Sequence, residues 1–184
     1  MAKGKYSKDY RLVEEFRENG RVHTGFEYIG EPWFFCADEN TVAEEKKKAL
    51  GLIILAAAAF VMALIPYSGM MHRLWIALPF GFSAIPLFLT GDLVFSMQKW
   101  TGPMEHRNAD KLNNSYPPRT LAVAYLSIVA LIAEIVYLVR NGFAVPGDRI
   151  VLICTAVMFW CALMLFKRRG HFKAEANHVR NTDG

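Results

Sequence analysis

Cysteine is scarce in this chain, and its spacing excludes two kinds of chemistry. The 184 residues include three, Cys36, Cys154 and Cys161, and none forms the Cys-x-x-Cys pair that holds zinc or runs thiol–disulfide exchange. Cys154 and Cys161 stand seven apart on one expected helix, about 10 Å along its axis and too far for a disulfide, so they read as packed thiols. No histidine falls within a long apolar run, which argues against a membrane haem held by two histidines. There is no Gly-x-Ser-x-Gly, no glycine-rich phosphate cradle and no His/Asp/Glu cluster with metal-ligand spacing. Catalysis, a cofactor and a bound metal are therefore not expected. The first 48 residues also lack an apolar run, so no secretory signal is expected and the N-terminal region should stay inside the cell.

What the chain has in quantity is apolar. It is 53% hydrophobic and 13% aromatic, with mean hydropathy above zero, yet 21% of it is charged. Both facts hold if charged and apolar residues are segregated, as in a polytopic membrane protein. A span needs roughly 20 mostly apolar residues to cross about 30 Å of hydrocarbon. Four stretches fit: "ALGLIILAAAAFVMALIPY" at 49–67, "LWIALPFGFSAIPLFLTGDLVF" at 74–95, "TLAVAYLSIVALIAEIVYLV" at 120–139 and the shorter "IVLICTAVMFWCALMLF" at 150–166. Unpaired backbone groups are too costly in lipid, so each should be helical. The sequence thus predicts an all-α membrane protein with four transmembrane helices within residues 46–167. A cytoplasmic cap at 1–45, made of a short helix and a β-hairpin, precedes them, and a polar cytoplasmic tail at 168–184 follows.

Orientation follows from Lys and Arg. Residues 1–48 hold nine, 96–119 four and 167–184 five, while Arg73, Arg140 and Arg149 are the three in the other two loops. With four spans, the first three segments share one side of the membrane, and the asymmetry puts both termini in the cytoplasm, most simply at the plasma membrane. The outer loops, "PYSGMMHR" and "RNGFAVPGDR", are short, so no large extracellular ligand is expected. Gly142 can end one helix, Asp148 can cap the next, and Pro146-Gly147 makes the turn. Topology alone accounts for the basic balance, a pI near 9.0, so nucleic-acid binding has no separate support.

The cytoplasmic parts are shorter and more varied. "SKDYRLVEEFRENG" reads as an amphipathic helix with Ser7 as N-cap and Leu12, Val13 and Phe16 on one side. Residues 22–29 alternate as a strand does, and Gly30-Glu31-Pro32 would turn them back into "WFFC" as a hairpin. Its aromatics should rest on the bilayer surface, on helix ends or on a partner. Thr41 and Glu44 have capping-box spacing, placing the first helix start near residue 42, with Lys46, Lys47 and Lys48 at headgroup level. His106 lies in a polar stretch and reads as a solvated side chain; Pro103 can open a short helix ending near Asn113.

Two acids interrupt the apolar pattern. Glu134, in "LIAEIVYLVR", shares a helical face with Val123, Ser127, Ala130 and Tyr137, the small and polar stripe of its span. Small residues mark helix contacts in membranes, so this stripe should face the bundle, with Ala56, Ala59 and Ala63 of the first span as small partners. A mid-membrane charge costs about 3 kcal/mol, so Glu134 is expected to be neutral and hydrogen-bonded to Ser127, Tyr137 or another helix, or paired with Arg73 from the outer end of span two. It can be structural glue or a proton- or cation-coupling site, and both readings stay open. Asp92 lies toward the opposite end of the membrane, so the two acids should not form a close pair. It is either buried or at the start of an interfacial helix over "DLVFSMQKW". Pro79 and Pro86 should kink or open span two. The expected function is that of a non-enzymatic accessory or assembly subunit beside another membrane protein. The alternative is a small proton-coupled transporter, self-associated, with Glu134 as the coupling acid.

Overall fold

The computed structural model describes residues 6–16, 22–100, 102–142 and 145–176. The mostly helical chain contains four helical units long and apolar enough to cross a membrane. The first is α1, Glu39–Leu64. The second is broken into α2, Leu74–Phe82, and α3, Ala84–Gln98. The third comprises α4, His106–Asp110, a π-turn at Lys111–Ser115, and α5, Tyr116–Asn141. The last is α6, Pro146–Lys167, which tightens into a 3-10 turn at Arg168–Phe172. α1 packs against α6 and α3, while α5 packs against α6, α2 and α3, so α1 and α5 lie across the bundle from one another.

Local sequence explains the breaks. Pro86 has no N–H to donate and its ring crowds the preceding turn, so α2 stops at Phe82 and α3 starts afresh, with Pro86 in the first turn where a donor is not needed. Ser83 bridges the break, its Oγ donating to the Phe80 carbonyl at 2.6 Å. α5 ends at Gly142, whose φ of 68° suits a residue without a Cβ, and Pro146 opens α6 at a position where a missing N–H costs nothing. α1 starts earlier than the capping-box spacing suggests. Asp38 is its N-cap, accepting from the Asn40 N–H at 3.1 Å.

The cap departs from expectation in three ways. Residues 10–16 form a strand, β1 (Tyr10–Phe16), paired antiparallel with β2 (Val22–Tyr28); the expected helix is absent because β2 supplies a hydrogen-bonding edge that an isolated amphipathic segment lacks. "WFF" does not fold back on β2. It forms β3 (Trp33–Phe35), which pairs with β4 (Ala174–Ala176), so that part of the expected polar tail is joined to the N-terminal cap, while 177–184 lie outside the described residues. His106 is an anchor: its ring stacks on Trp33 at 5.0 Å and its Nδ1 lies 3.0 Å from Asp9 Oδ2. Tyr10 donates to Glu105 Oε2 at 2.5 Å, and the His106 N–H donates to the Tyr28 hydroxyl at 3.0 Å. Lys46 also turns inward, donating to the Trp100 carbonyl at 2.5 Å beneath the Phe35 ring, and so differs from the exposed Lys47 and Lys48.

Candidate functional site

Helical spacing gives α5 one inward line, Val123, Ser127, Ala130, Glu134 and Tyr137, and all five are buried. The line faces α6, which offers Asp148, Val151, Thr155, Met158 and Ala162 from its own buried face. The small residues of α1 expected opposite it, Ala56, Ala59 and Ala63, are buried in α1's own contacts with α6 and α3. Small side chains at Ala130 and Ala162 allow the helices to approach, and that approach brings polar groups on the two together.

Glu134 has no exposed surface, and its Oε1 lies 2.8 Å from the Thr155 hydroxyl. The Val151 carbonyl is 3.0 Å from the same hydroxyl. As donor, the Thr155 hydroxyl must share its one proton between the two acceptors. A protonated Glu134 donating to Thr155 Oγ1, with the hydroxyl donating onward to Val151, gives every hydrogen an acceptor, so the pair can hold one proton without a counter-ion. The second oxygen, Oε2, has no partner among the described residues, and neither has Ser127 Oγ. Ser127 therefore shares the stripe but is not bonded to Glu134. Arg73 is exposed at the N-cap of α2, and the bond that Glu134 makes is to Thr155.

A second buried acid lies nearer the α1–α2 and α5–α6 loops. Asp148 is in the first turn of α6 but does not cap it, since Val145 is the N-cap residue. Its Oδ1 accepts from Ser68 Oγ at 2.7 Å and from the Met70 N–H at 3.4 Å, tying the α1–α2 loop to α6. Its Oδ2 is buried without a partner among the described residues. Two glycines make this packing possible. A Cβ on Gly147 would lie 2.0 Å from the Tyr67 carbonyl oxygen, and one on Gly69 would lie 2.7 Å from the Tyr137 hydroxyl. Asp148 and Thr155 are seven apart on α6, and Ser127 and Glu134 are seven apart on α5. Each interval corresponds to about 10 Å of rise. The antiparallel seam thus presents Asp148 at the end next to the α1–α2 and α5–α6 loops, Glu134 with Thr155 in the middle, and Ser127 farther from those loops.

Asp92 is not part of this seam. It is exposed on the outer face of an unbroken α3, with Thr90 on the inner face donating to the Pro86 carbonyl at 2.7 Å. The sequence gives no clear signal for Asp148 as a site residue, because Asp in a first helical turn is ordinary capping chemistry. Thr155 is equally silent among α6's apolar residues. Among the described residues, no group of three or more His, Cys, Asp or Glu is placed to hold a metal ion. Compared with known protein families, curated proteins and solved structures, the chain matches none.

Proposed function

We propose that this chain is an integral membrane protein with four transmembrane helices and both ends in the cytoplasm, serving as a non-enzymatic accessory or assembly subunit of a membrane complex. Membrane residence is supported by large apolar side chains pointing outward around the bundle, among them Ile54, Val61, Phe82, Phe88, Ile132 and Ile153. A partner is supported by one observation, the part of one β1–β2 face that the rest of the chain leaves uncovered. Tyr10 and Tyr28 are opposite one another on that face and hold it to Glu105 and His106. The face continues into a second cross-strand pair, Leu12 and Phe26, which remain 55% and 76% exposed. A two-stranded ribbon with an apolar pair left exposed is an unfinished interface.

The test is purification of the full chain in mild detergent. A second membrane protein should accompany it in stoichiometric amount and be lost from the Leu12→Lys, Phe26→Lys variant, whose circular dichroism should be unchanged. A wild-type preparation containing only copies of this chain overturns the reading.

The partnerless Glu134 Oε2 favours a second reading, a small proton-coupled transporter working as a homo-oligomer. In reconstituted vesicles, proton-driven flux that survives Glu134→Gln refutes it.

A further inference from the structure

α1 and α6 run side by side, and the end of α6 meets the start of α1. Between them an outward-facing groove of about 430 Å³ opens along the bundle wall. Gly51 forms its floor: a Cβ built there meets nothing within 4 Å. Leu52 and Leu55 form one wall, and Trp160 and Met164 the other. The groove is apolar along this length and cationic at one end. There Lys48 and Arg168 converge on one carboxylate, Lys48 at 3.0 Å from Glu45 Oε1 and Arg168 on Glu45 Oε2. Their side chains keep 48% and 32% of their surface exposed, so both face the solvent or headgroup side. Lys48 also lies 3.4 Å from Glu44 Oε2. With Lys46 turned inward, residues 44–48 and 167–169 leave five Lys and Arg against two Glu at this end, so the surroundings of the rim remain positive after its internal pairing.

We propose that this groove is a binding site for one anionic phospholipid, its phosphate at the Lys48–Arg168 rim and one acyl chain along Gly51 between Leu55 and Trp160. The direction of the groove supports this occupant. From Lys48 to Leu55 is seven residues of helix, about 10 Å, which carries an acyl chain from the headgroup level well into the hydrocarbon. Trp160 lines the groove and is half exposed, leaving aromatic surface open to a chain passing it. Charge selects the headgroup, since a surface cation attracts an anionic lipid about fivefold. The absent side chain at residue 51 selects for an occupant.

The site depends on the membrane placement proposed above but not on either reading of partners or transport. The test uses the full chain in phosphatidylcholine vesicles containing the same small fraction of acyl-brominated phosphatidylglycerol or acyl-brominated phosphatidylcholine. The signal is the Trp160-dependent part of the fluorescence, obtained by difference from Trp160→Phe. Brominated phosphatidylglycerol should quench as if enriched about fivefold around Trp160 over brominated phosphatidylcholine. Gly51→Phe fills the groove without touching a charge, and Lys48→Gln weakens the rim; each should bring the ratio toward one. Equal quenching by the two lipids overturns the proposal. So does an excess that survives Gly51→Phe, because it would be charge attraction to the whole protein surface. Quenching by neither lipid overturns the membrane placement itself.

Discussion

Replacing Thr155 by valine removes a hydroxyl and almost no volume, so its effect on stability isolates the bond to Glu134. With Thr155 gone, both carboxyl oxygens of Glu134 are buried without a partner among the described residues, since Oε2 already lacks one there. Stranding a buried polar group costs about 1–3 kcal/mol, so Thr155→Val should lose about 2 kcal/mol. The reverse removal is different. In Glu134→Met a flexible apolar chain of similar length replaces the acid, and Thr155 still donates to the Val151 carbonyl at 3.0 Å. Nothing is stranded, so this variant should lie within about 1 kcal/mol of wild type, on the stabilising side. The double variant should recover most of the Thr155→Val loss, giving a coupling of about 1–2 kcal/mol, at the upper end for hydrogen bonds between membrane helices. The assay is reversible unfolding in mixed micelles of mild detergent and dodecyl sulfate, followed by far-ultraviolet circular dichroism. Glu134→Met costing more than Thr155→Val would show that the acid itself stabilises the seam and would refute this reasoning. If the expected order holds, stability does not account for a glutamate at this position.

Three further outcomes follow from the geometry. Gly147→Ala should destabilise by more than about 3 kcal/mol, because its Cβ would meet the Tyr67 carbonyl at 2.0 Å; Gly51→Ala, opening onto empty space, should be neutral or mildly stabilising in the same micelle assay. The Tyr10 hydroxyl is pushed up to about 12 from an ordinary 10.0, by burial and then by its hydrogen bond to Glu105. A phenol raised on folding stabilises the folded state below its unfolded pKa, so the hairpin's hold should be complete below pH 10 and lost as pH rises toward 12; tyrosinate absorbance should show this step in wild type but not in Tyr10→Phe. Cys36 is exposed and Cys161 buried, so a membrane-impermeant maleimide should label Cys36 only after intact cells are opened; labelling from outside would reverse the proposed orientation.

The helical bundle was legible because apolar length is a one-dimensional signal. The stripe through Glu134 was equally legible because helical spacing alone puts Ser127, Ala130 and Tyr137 beside it. Which helix the stripe would face was not, since every span offers small residues and only the packing selects α6. The cap misled for a related reason. Leu12, Val13 and Phe16 suit a helical face, but Tyr10 and Leu12 also suit a strand, and the choice depends on whether a partner strand is present. β3 illustrates the limit: it pairs with Ala174–Ala176, a segment with no strand propensity of its own, brought there by the whole bundle. Asp148 has the sequence signature of a cap because capping is decided locally, whereas its bond to Ser68 spans 80 residues.

The β3–β4 pairing has a consequence for the order of assembly. Trp33–Phe35 leaves the ribosome early, but its partner emerges only after all four helices have been made. Until then the early segment offers an open edge, closed only once the helices have brought the two distant segments together. A chain halted anywhere before Ala174 would keep that edge exposed, giving quality control a visible mark of an unfinished product.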